Sequence, residues 1–389
     1  TEINGGKCNT EEDFYKACRA ASILGTLQAG YTDFKFLSDT SKKIFDREAL
    51  LGVSITGWMN NPDILFDEKI LQKGAEIVKE VNKEMAAIIG INPAARTTCV
   101  KPSGNASVLL QTASGIHAEH SNMYIRNVQM NKESEITQAI MKTNPYMVED
   151  SVWSAGGTDV VVSFPILPKK GSMYKDDLLG VKHLELVKKA QKHWVEAGTN
   201  EDLCADKGVR HNVSNTIIVD NWEEVEKYVF ENRHSFAGIS FLAMTGDKDY
   251  NQAPNTAVIT AKDMVKKYGN AAVFASGMVV DALKCFNNLW DACSTAKGFG
   301  EDLSLESSEN AMKRDWIRRF GKFADNYLKS DTVLAEHCLK DAYLLHKWNK
   351  IQSTLKTVDW KEDITERKYT DVDTLAAAAC AGGACEIDF

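Results

Sequence analysis

The sequence of 389 residues has no apolar run long enough to cross a membrane, which takes about 18 consecutive apolar residues. Its 7 prolines and 25 glycines are too few for a collagenous or disordered chain. It also has no excess of basic residues, since 46 Lys and Arg stand against 54 Asp and Glu, a net charge of −8. This balance argues against a protein that binds nucleic acid over its whole surface. Only a local basic groove could still bind it. We therefore expect a globular protein of two or three domains with neither a membrane nor a nucleic-acid partner.

Cysteine has no regular spacing over most of the chain. An odd count of nine favours a reducing, cytoplasmic environment over a disulfide scaffold. The exception is the pair Cys380 and Cys385, separated by two Ala and two Gly, which let the sulfurs meet or separate freely. Two thiolates do not complete a zinc site, and a small loop near a chain end stabilises little. The pair is typical of a dithiol that exchanges with other disulfides. The other seven are Cys8, Cys18, Cys99, Cys204, Cys285, Cys293 and Cys338.

Residues 1–267 alternate short β-branched runs with segments of helical period. The helical segments include Ile70 to Ile88 and Leu184 to Trp194, and Asp220 with Glu223 predicts a capping box at the start of another helix. This order predicts an α/β architecture with parallel strands. The runs expected to be strands are Val53–Ile55, Thr97–Val100, Tyr124–Val128, Val160–Phe164, Thr216–Val219 and Ile239–Leu242.

The pattern changes to helices alone in residues 268–352, where apolar residues recur at helical spacing. We interpret this stretch as a helical insertion. Residues 353–389 are charged or small and have no period, so we expect a flexible tail that carries the Cys380 and Cys385 pair.

A candidate anion site follows the predicted strand Thr97–Val100. The sequence Lys101-Pro102-Ser103-Gly104-Asn105-Ala106-Ser107 leads from that strand toward an apolar run. Free backbone N–H groups and a glycine at such a turn allow a phosphate to approach closely. An ordinary strand-to-helix turn explains the same residues equally simply.

His117 and His120 lie in a stretch that could suggest a metal site. Their spacing differs from the i, i+4 pattern of zinc proteases, and no third ligand is identifiable. We expect loop histidines and no metal.

Several segments, taken together, resemble the C-terminal part of the adenosylcobalamin-dependent (class II) ribonucleotide reductases. They are Thr1–Asn4, Gly25–Phe34, Leu51–Gly57, Lys101–Gly104, Tyr124–Arg126, Gly238–Leu242, Tyr250–Pro254 and the Cys380 and Cys385 tail. Their order and spacing make the set more specific than any one of them.

The resemblance implies that this chain supplies the second half of a ten-stranded α/β barrel. It implies that Pro102, Ser103, Gly104, Asn105, Ala106 and Ser107 bind the phosphates of a ribonucleoside di- or triphosphate. It further implies adenosylcobalamin as cofactor and thiyl-radical chemistry that replaces the ribose 2′-hydroxyl with hydrogen. Cys380 and Cys385 become a relay that re-reduces an active-site disulfide and is itself reduced by a thioredoxin-like protein.

Departures from the family pattern are equally informative. The radical-bearing Asn-Pro-Cys motif with its following Glu is absent, so we expect the chain to act only with an N-terminal half. A start at Thr1 fits a split gene, protein splicing or a truncated record. Asn105 stands where the family usually has Thr, and Ala243 stands where it usually has Pro. The chain also has no Tyr-Tyr dipeptide, which argues against the class of reductases that receives its radical from a second subunit.

The sequence thus predicts part of a ribonucleotide reductase. Two alternatives remain: a non-radical phosphate-binding α/β-barrel enzyme, which would need an acid/base pair at the strand ends, and a thiol-bearing accessory or binding protein.

Overall fold

The computed structural model describes residues 1–244, 250–298 and 308–360. For residues 308–310 it describes the backbone alone. The chain divides into two compact units. Unit 1 comprises residues 1–122 and 168–245, and unit 2 comprises residues 123–167 and 246–389. Each unit is therefore built from two separate stretches of chain.

Unit 1 alternates helices with short strands. Numbered in chain order over the whole molecule, its elements are β1 (Glu2–Asn4), α1 (Glu11–Ala29), α2 (Asp39–Glu48), β2 (Ser54–Thr56), α3 (Pro62–Leu65), α4 (Glu68–Ile89), α5 (Gly104–Leu110), α7 (Gly180–Ala190), β6 (Thr216–Val219), α8 (Trp222–Glu231) and β7 (Ser240–Ala243).

Five strand segments of unit 1 run side by side in parallel. β1 pairs with β2, and β6 pairs with β7. Between these pairs, the extended segment 97–100 bridges to the start of the β2 segment at Val53↔Thr98 and to Val213, just before β6, at Val100↔Val213. The expectation of parallel strands is confirmed for this unit. The ten-stranded barrel is not confirmed, because the described residues form sheets of two, four and two strands.

The core of unit 1 lies between the strands and the helices α1, α4 and α7. Phe14 and Trp194 are fully buried there, with ring centroids 5.9 Å apart. Thr10 begins α1 with a reciprocal capping box, and Asp67 caps α4 by accepting from the N–H groups of Lys69 and Ile70. The helix predicted from Ile70 onward is therefore confirmed as α4, stabilised by its apolar face and its cap.

One local prediction in unit 1 is confirmed with a difference in its last turn, and another is wrong. The helix over residues 184–194 exists, but after Ala190 it continues as a π-helical turn through Glu196. The capping box predicted at Asp220 is wrong by one residue. Asn221 caps α8 by accepting from the N–H of Glu224, because the Asp220 carboxylate accepts instead from the N–H of Asn221.

Unit 2 contains a four-stranded antiparallel sheet and a group of helices. Its strand order is β4-β5-β3-β8. Its elements are β3 (Tyr124–Asn131), α6 (Glu135–Thr143), β4 (Val148–Asp150), β5 (Asp159–Ile166), β8 (Asn255–Ala257), α9 (Ala261–Tyr268), α10 (Ala271–Cys285), α11 (Leu289–Gly298), α12 (Ser308–Tyr327) and α13 (Thr332–Thr354).

The predicted strands at 124–128 and 160–164 are present, but their expected parallel pairing is wrong. β3 pairs antiparallel with β5 over its whole length, from Tyr124↔Ile166 to Asn131↔Asp159. Periodicity identifies strands without giving their direction. One face of the sheet, with Val160 and Val162, packs with Ile140 of α6 and Ile351 of α13.

Helices α9 to α13 of unit 2 share a second core that contains Trp316, Phe320 and Cys338, all nearly or fully buried. Helices α10 to α13 account for most of the described residues in the stretch 268–352, which the sequence identifies as helical. The sequence predicts domain boundaries after residues 267 and 352, and these boundaries stay a prediction. The two compact units divide the chain differently, because residues 123–167 belong to the same unit as these helices. Of the predicted tail, residues 361–389 lie outside the described residues. No described helix is long and apolar enough to span a membrane.

Candidate functional site

The predicted anion site lies where the segment 97–100 leaves the parallel strands and α5 begins. Ser103 has a left-handed backbone (φ 60°), which is rare for a residue with a side chain, and α5 starts at the next residue. Ser103 is 8% exposed, and its hydroxyl has no hydrogen-bond partner among the described residues. A buried hydroxyl without a partner is costly, so a ligand that accepts a hydrogen bond from Ser103 would stabilise this position.

The structure brings the six predicted residues into one turn, where their environments differ. Pro102, Gly104 and Asn105 are exposed, Ala106 is half-buried, and Ser107 is buried. The Ser107 hydroxyl donates to the Gly104 carbonyl at 2.9 Å. Ser103 therefore has the free side-chain hydroxyl of this turn, while Gly104 leaves open space because nothing lies within 4 Å of where a Cβ would be.

A neighbouring loop holds the turn in place. The Ser114 hydroxyl donates to the Pro102 carbonyl at 2.7 Å. Gly115 has φ 52°, and a Cβ there would lie 2.5 Å from the Lys101 carbonyl oxygen, so this approach requires glycine. The unusual backbone of Ser103 is thus fixed by its surroundings.

Polar side chains that the sequence analysis missed connect three strand segments beside this turn. The Lys101 N–H donates to the Ser54 hydroxyl at 2.9 Å, and that hydroxyl donates to the Glu2 carboxylate at 3.2 Å. Asn4 donates to the Leu110 carbonyl at the end of α5 at 2.8 Å, and its own side-chain oxygen has no partner among the described residues. Because these residues are far apart in sequence, only the strand pairing reveals the group.

Asn60 joins the loops that follow β2 and α5. Its side-chain oxygen accepts from the Thr112 hydroxyl at 2.6 Å, and its amide donates to Glu119 at 2.7 Å and Ser172 at 2.9 Å. Asn60 and Glu119 are both about 5% exposed. This buried hydrogen-bond network makes the loops around the turn rigid.

His117 is a structural histidine. It donates from Nδ1 to the Ser114 carbonyl at 2.9 Å and accepts at Nε2 from the Thr216 N–H at 3.0 Å. Burial lowers the pKa of His117, and burial lowers the pKa of the adjacent His183 to about 4. Both ring nitrogens of His117 are therefore occupied by hydrogen bonds, and among the described residues no cluster of three metal-ligating side chains occurs.

The two predicted redox cysteines, Cys380 and Cys385, lie outside the described residues. Two other cysteines lie near the strands of unit 1. Burial raises the pKa of Cys8, which follows β1, to about 11, and burial also raises the pKa of Cys99 in the segment 97–100. Both are therefore neutral thiols near pH 7 and poor nucleophiles as they stand.

Comparison with known proteins gives three related curated sequences, all named as adenosylcobalamin-dependent ribonucleoside-triphosphate reductases. The relative from Dictyostelium discoideum, named a probable one, is 27% identical over 191 residues, which is 48% of this chain and 24% of the relative. The Euglena gracilis relative is 23% identical and the Lactobacillus acidophilus relative 25% identical, covering 56% and 66% of this chain. The chain spans 24% to 38% of the length of these relatives.

A crystal structure of a B12-dependent (class II) ribonucleotide reductase has a similar fold. It aligns with a TM-score of 0.51 at 15% identity, over 65% of this chain and 36% of that one. No protein-family profile matches the chain. The sequence relatives and the structural neighbour agree: the chain is similar in sequence to adenosylcobalamin-dependent ribonucleoside-triphosphate reductases and in fold to a class II ribonucleotide reductase.

Proposed function

We propose that this chain is the part of a ribonucleotide reductase that binds the substrate phosphates, in the turn Pro102–Ser107. The buried Ser103 hydroxyl without a partner is the observation that carries the proposal. Lys101 is exposed next to the turn and adds a positive charge, and the N–H groups that begin α5 add donors.

The substrate class is a ribonucleoside di- or triphosphate. The names of the relatives favour a triphosphate. Comparing turnover of matched di- and triphosphates by the assembled enzyme distinguishes the two.

The five parallel segments of unit 1 support the proposal that this chain supplies half of a ten-stranded barrel. Each segment lies beside the next one in sequence, and helices connect them. We propose that an N-terminal half, carrying the radical cysteine, supplies the remaining strands. In the same proposal, residues 268–352 are the helical insertion and residues 353–389 the flexible tail.

Adenosylcobalamin is the cofactor that the relatives' names imply, and it supplies radical initiation in such enzymes. One groove of unit 1, of about 680 Å³, does not fit it. This groove is lined by charged side chains such as Lys79, Glu80 and Asp202, which offer no broad apolar platform for a corrin ring. No step of the proposal is therefore assigned to the cofactor, and its binding residues are expected in the N-terminal half.

Cys380 and Cys385 are proposed as the dithiol relay. Their two thiols transfer two electrons and two protons to an active-site disulfide and become a disulfide, which a thioredoxin-like protein reduces. The two alanines and two glycines between them support this assignment. A cytoplasmic location follows from the need for a reducing environment.

The phosphate site is tested by combining the chain with a matched N-terminal half, cofactor and dithiol, and measuring deoxyribonucleotide formation. Ser103→Ala should raise the KM for the nucleotide by roughly tenfold, the usual effect of losing one hydrogen bond to a charged group. Ser235→Ala, in the same unit, is the control. No product from an intact pair, or an unchanged KM in Ser103→Ala, contradicts the proposal.

The relay is tested separately with Cys385→Ser. This variant should lose turnover with thioredoxin but keep turnover with a small dithiol that enters the site directly. Equal loss with both reductants would show a structural role for the tail.

A further inference from the structure

The sequence motif Tyr250–Pro254 carries part of the family resemblance, yet the proposed function gives it no role. In unit 2 it forms one wall of a cavity of about 440 Å³, on the face of the antiparallel sheet opposite α6 and α13. That volume is within the range of small-molecule sites. The other wall is Trp153, and the floor is Asn127, Gln129 and Val161 from β3 and β5.

Two aromatic rings face the cavity while remaining open to solvent. Trp153 is 61% exposed and Tyr250 43% exposed, and their rings meet edge to face with centroids 5.8 Å apart. The Trp153 indole N–H donates to the Asn251 carbonyl at 3.1 Å, which fixes the ring. An exposed Trp held in one orientation contributes little to a core and offers a flat surface for stacking.

The backbone behind the rings is held in an unfavourable conformation. Gln252 has φ 60°, in the left-handed region that a residue with a side chain rarely adopts. Its side chain maintains this conformation by accepting from the Val152 N–H at 2.9 Å and donating to the Asp150 carbonyl at 2.8 Å. The two loops that carry Trp153 and Tyr250 are thereby joined into one rigid wall.

The floor offers amide groups and no cation. Asn127 donates to the Ala253 carbonyl at 2.7 Å and accepts from Ser163, and Gln129 donates to Asp159 at 2.8 Å. Each amide keeps a second N–H, and each oxygen can accept a further bond. The described lining has no Lys or Arg, so the cavity has nothing that would hold a phosphate.

We propose that this cavity binds a planar heteroaromatic ring of the nucleobase type, stacked on Trp153 and hydrogen-bonded at its edge by Asn127 and Gln129. Aromatic stacking accepts any base, and side-chain amides read the donors and acceptors at a base edge. The site is separate from the turn Pro102–Ser107 and does not depend on the proposed function.

The test is isothermal calorimetry of the full chain with adenosine, guanosine, cytidine and uridine, with ribose as the probe that lacks a base. At least one nucleoside should bind saturably and ribose should not. Trp153→Ala should weaken binding roughly tenfold or more, in line with the loss of one stacked base, while Trp153→Phe retains most of it. Trp222→Ala, which changes another exposed Trp in unit 1 (54% against 61% for Trp153), is the control and should bind like the wild type.

Photolabelling with 2-azidoadenosine then places the ligand. The label should appear in peptides containing Trp153 or Tyr250. Labelling confined to peptides of residues 101–110 would mean that the nucleoside occupies the proposed substrate turn and would overturn this site. The proposed site is also overturned if no nucleoside binds saturably, if ribose binds as well as the nucleosides, or if the folded Trp153→Ala variant binds with unchanged affinity.

Discussion

The buried ion pair between Glu48 and Arg96 fixes the strand segment that leads to Ser103. Arg96 donates to the Glu48 carboxylate at 3.0 Å and also to the Val209 carbonyl at 2.9 Å. Both charged residues are less than 8% exposed. The Arg96→Met variant keeps the apolar stem of the side chain and removes all of these donors.

The expected cost is large because Glu48 stays buried without its main cation. Its remaining donors are the Ala205 N–H at 3.2 Å and Arg47, which is itself 56% exposed. Removing one partner of a buried pair costs about 3–5 kcal/mol. With a urea m-value of about 2 kcal/mol/M, the unfolding midpoint of unit 1 should fall by roughly 1.5–2.5 M.

Urea titration read out by hydrogen exchange of peptides that contain β2 reports on unit 1 alone. Arg19→Met is the matched control, because Arg19 meets Glu84 at 3.8 Å with both side chains about 60% exposed. That pair should contribute at most about 1 kcal/mol. The double variant Glu48→Leu with Arg96→Met should be more stable than Arg96→Met alone, since no unpaired buried charge remains. Equal midpoints for Arg96→Met and the control would refute the reasoning.

Two further expectations concern unit 1 and one concerns unit 2. Burial lowers the pKa of His183 from 6.5 to about 4, so as the pH falls the unfolded chain binds a proton before the folded chain does. The contribution of neutral His183 to stability is therefore complete above pH 6.5 and is lost as the pH falls toward 4. The variant His183→Gln should flatten that part of the curve of Tm against pH. Gly198→Ala would place a Cβ 2.0 Å from the Thr98 hydroxyl and should lower the Tm of unit 1 by several degrees; an unchanged Tm would contradict that contact. Gly277→Ala in α10 has open space and should instead stabilise unit 2 by up to about 1 kcal/mol in calorimetry, and destabilisation would show that the helix needs glycine there.

Local pattern predicted much of the secondary structure. The runs around residues 54, 124, 160, 216 and 240 all lie in strands, in agreement with the preference of their β-branched and aromatic residues for that structure. The segment 97–100 is extended and makes isolated bridges only. Pairing direction was not predictable, because the antiparallel partners β3 and β5 look locally like parallel strands.

The candidate site was predictable only where its residues are consecutive. The turn after Val100 was found from its sequence, but the left-handed backbone of Ser103 depends on Ser114 and Gly115, which pack behind it. Glu2 and Ser54 join the site through pairing of strands about fifty residues apart in sequence. No sequence rule identifies Trp153. Its side chain is unusually exposed for a tryptophan, and that exposure is visible only in the three-dimensional structure.

The last strand of unit 1 has a practical consequence for handling the protein. β7 pairs with β6 on one side, and in the described part of the chain no other strand pairs with it. All four of its residues are exposed, including Phe241 at 38% and Leu242 at 55%. An open apolar edge of this kind is a template for strand addition between molecules, so the isolated chain should self-associate as its concentration rises. A charged residue at Leu242 would act as a gatekeeper against that aggregation.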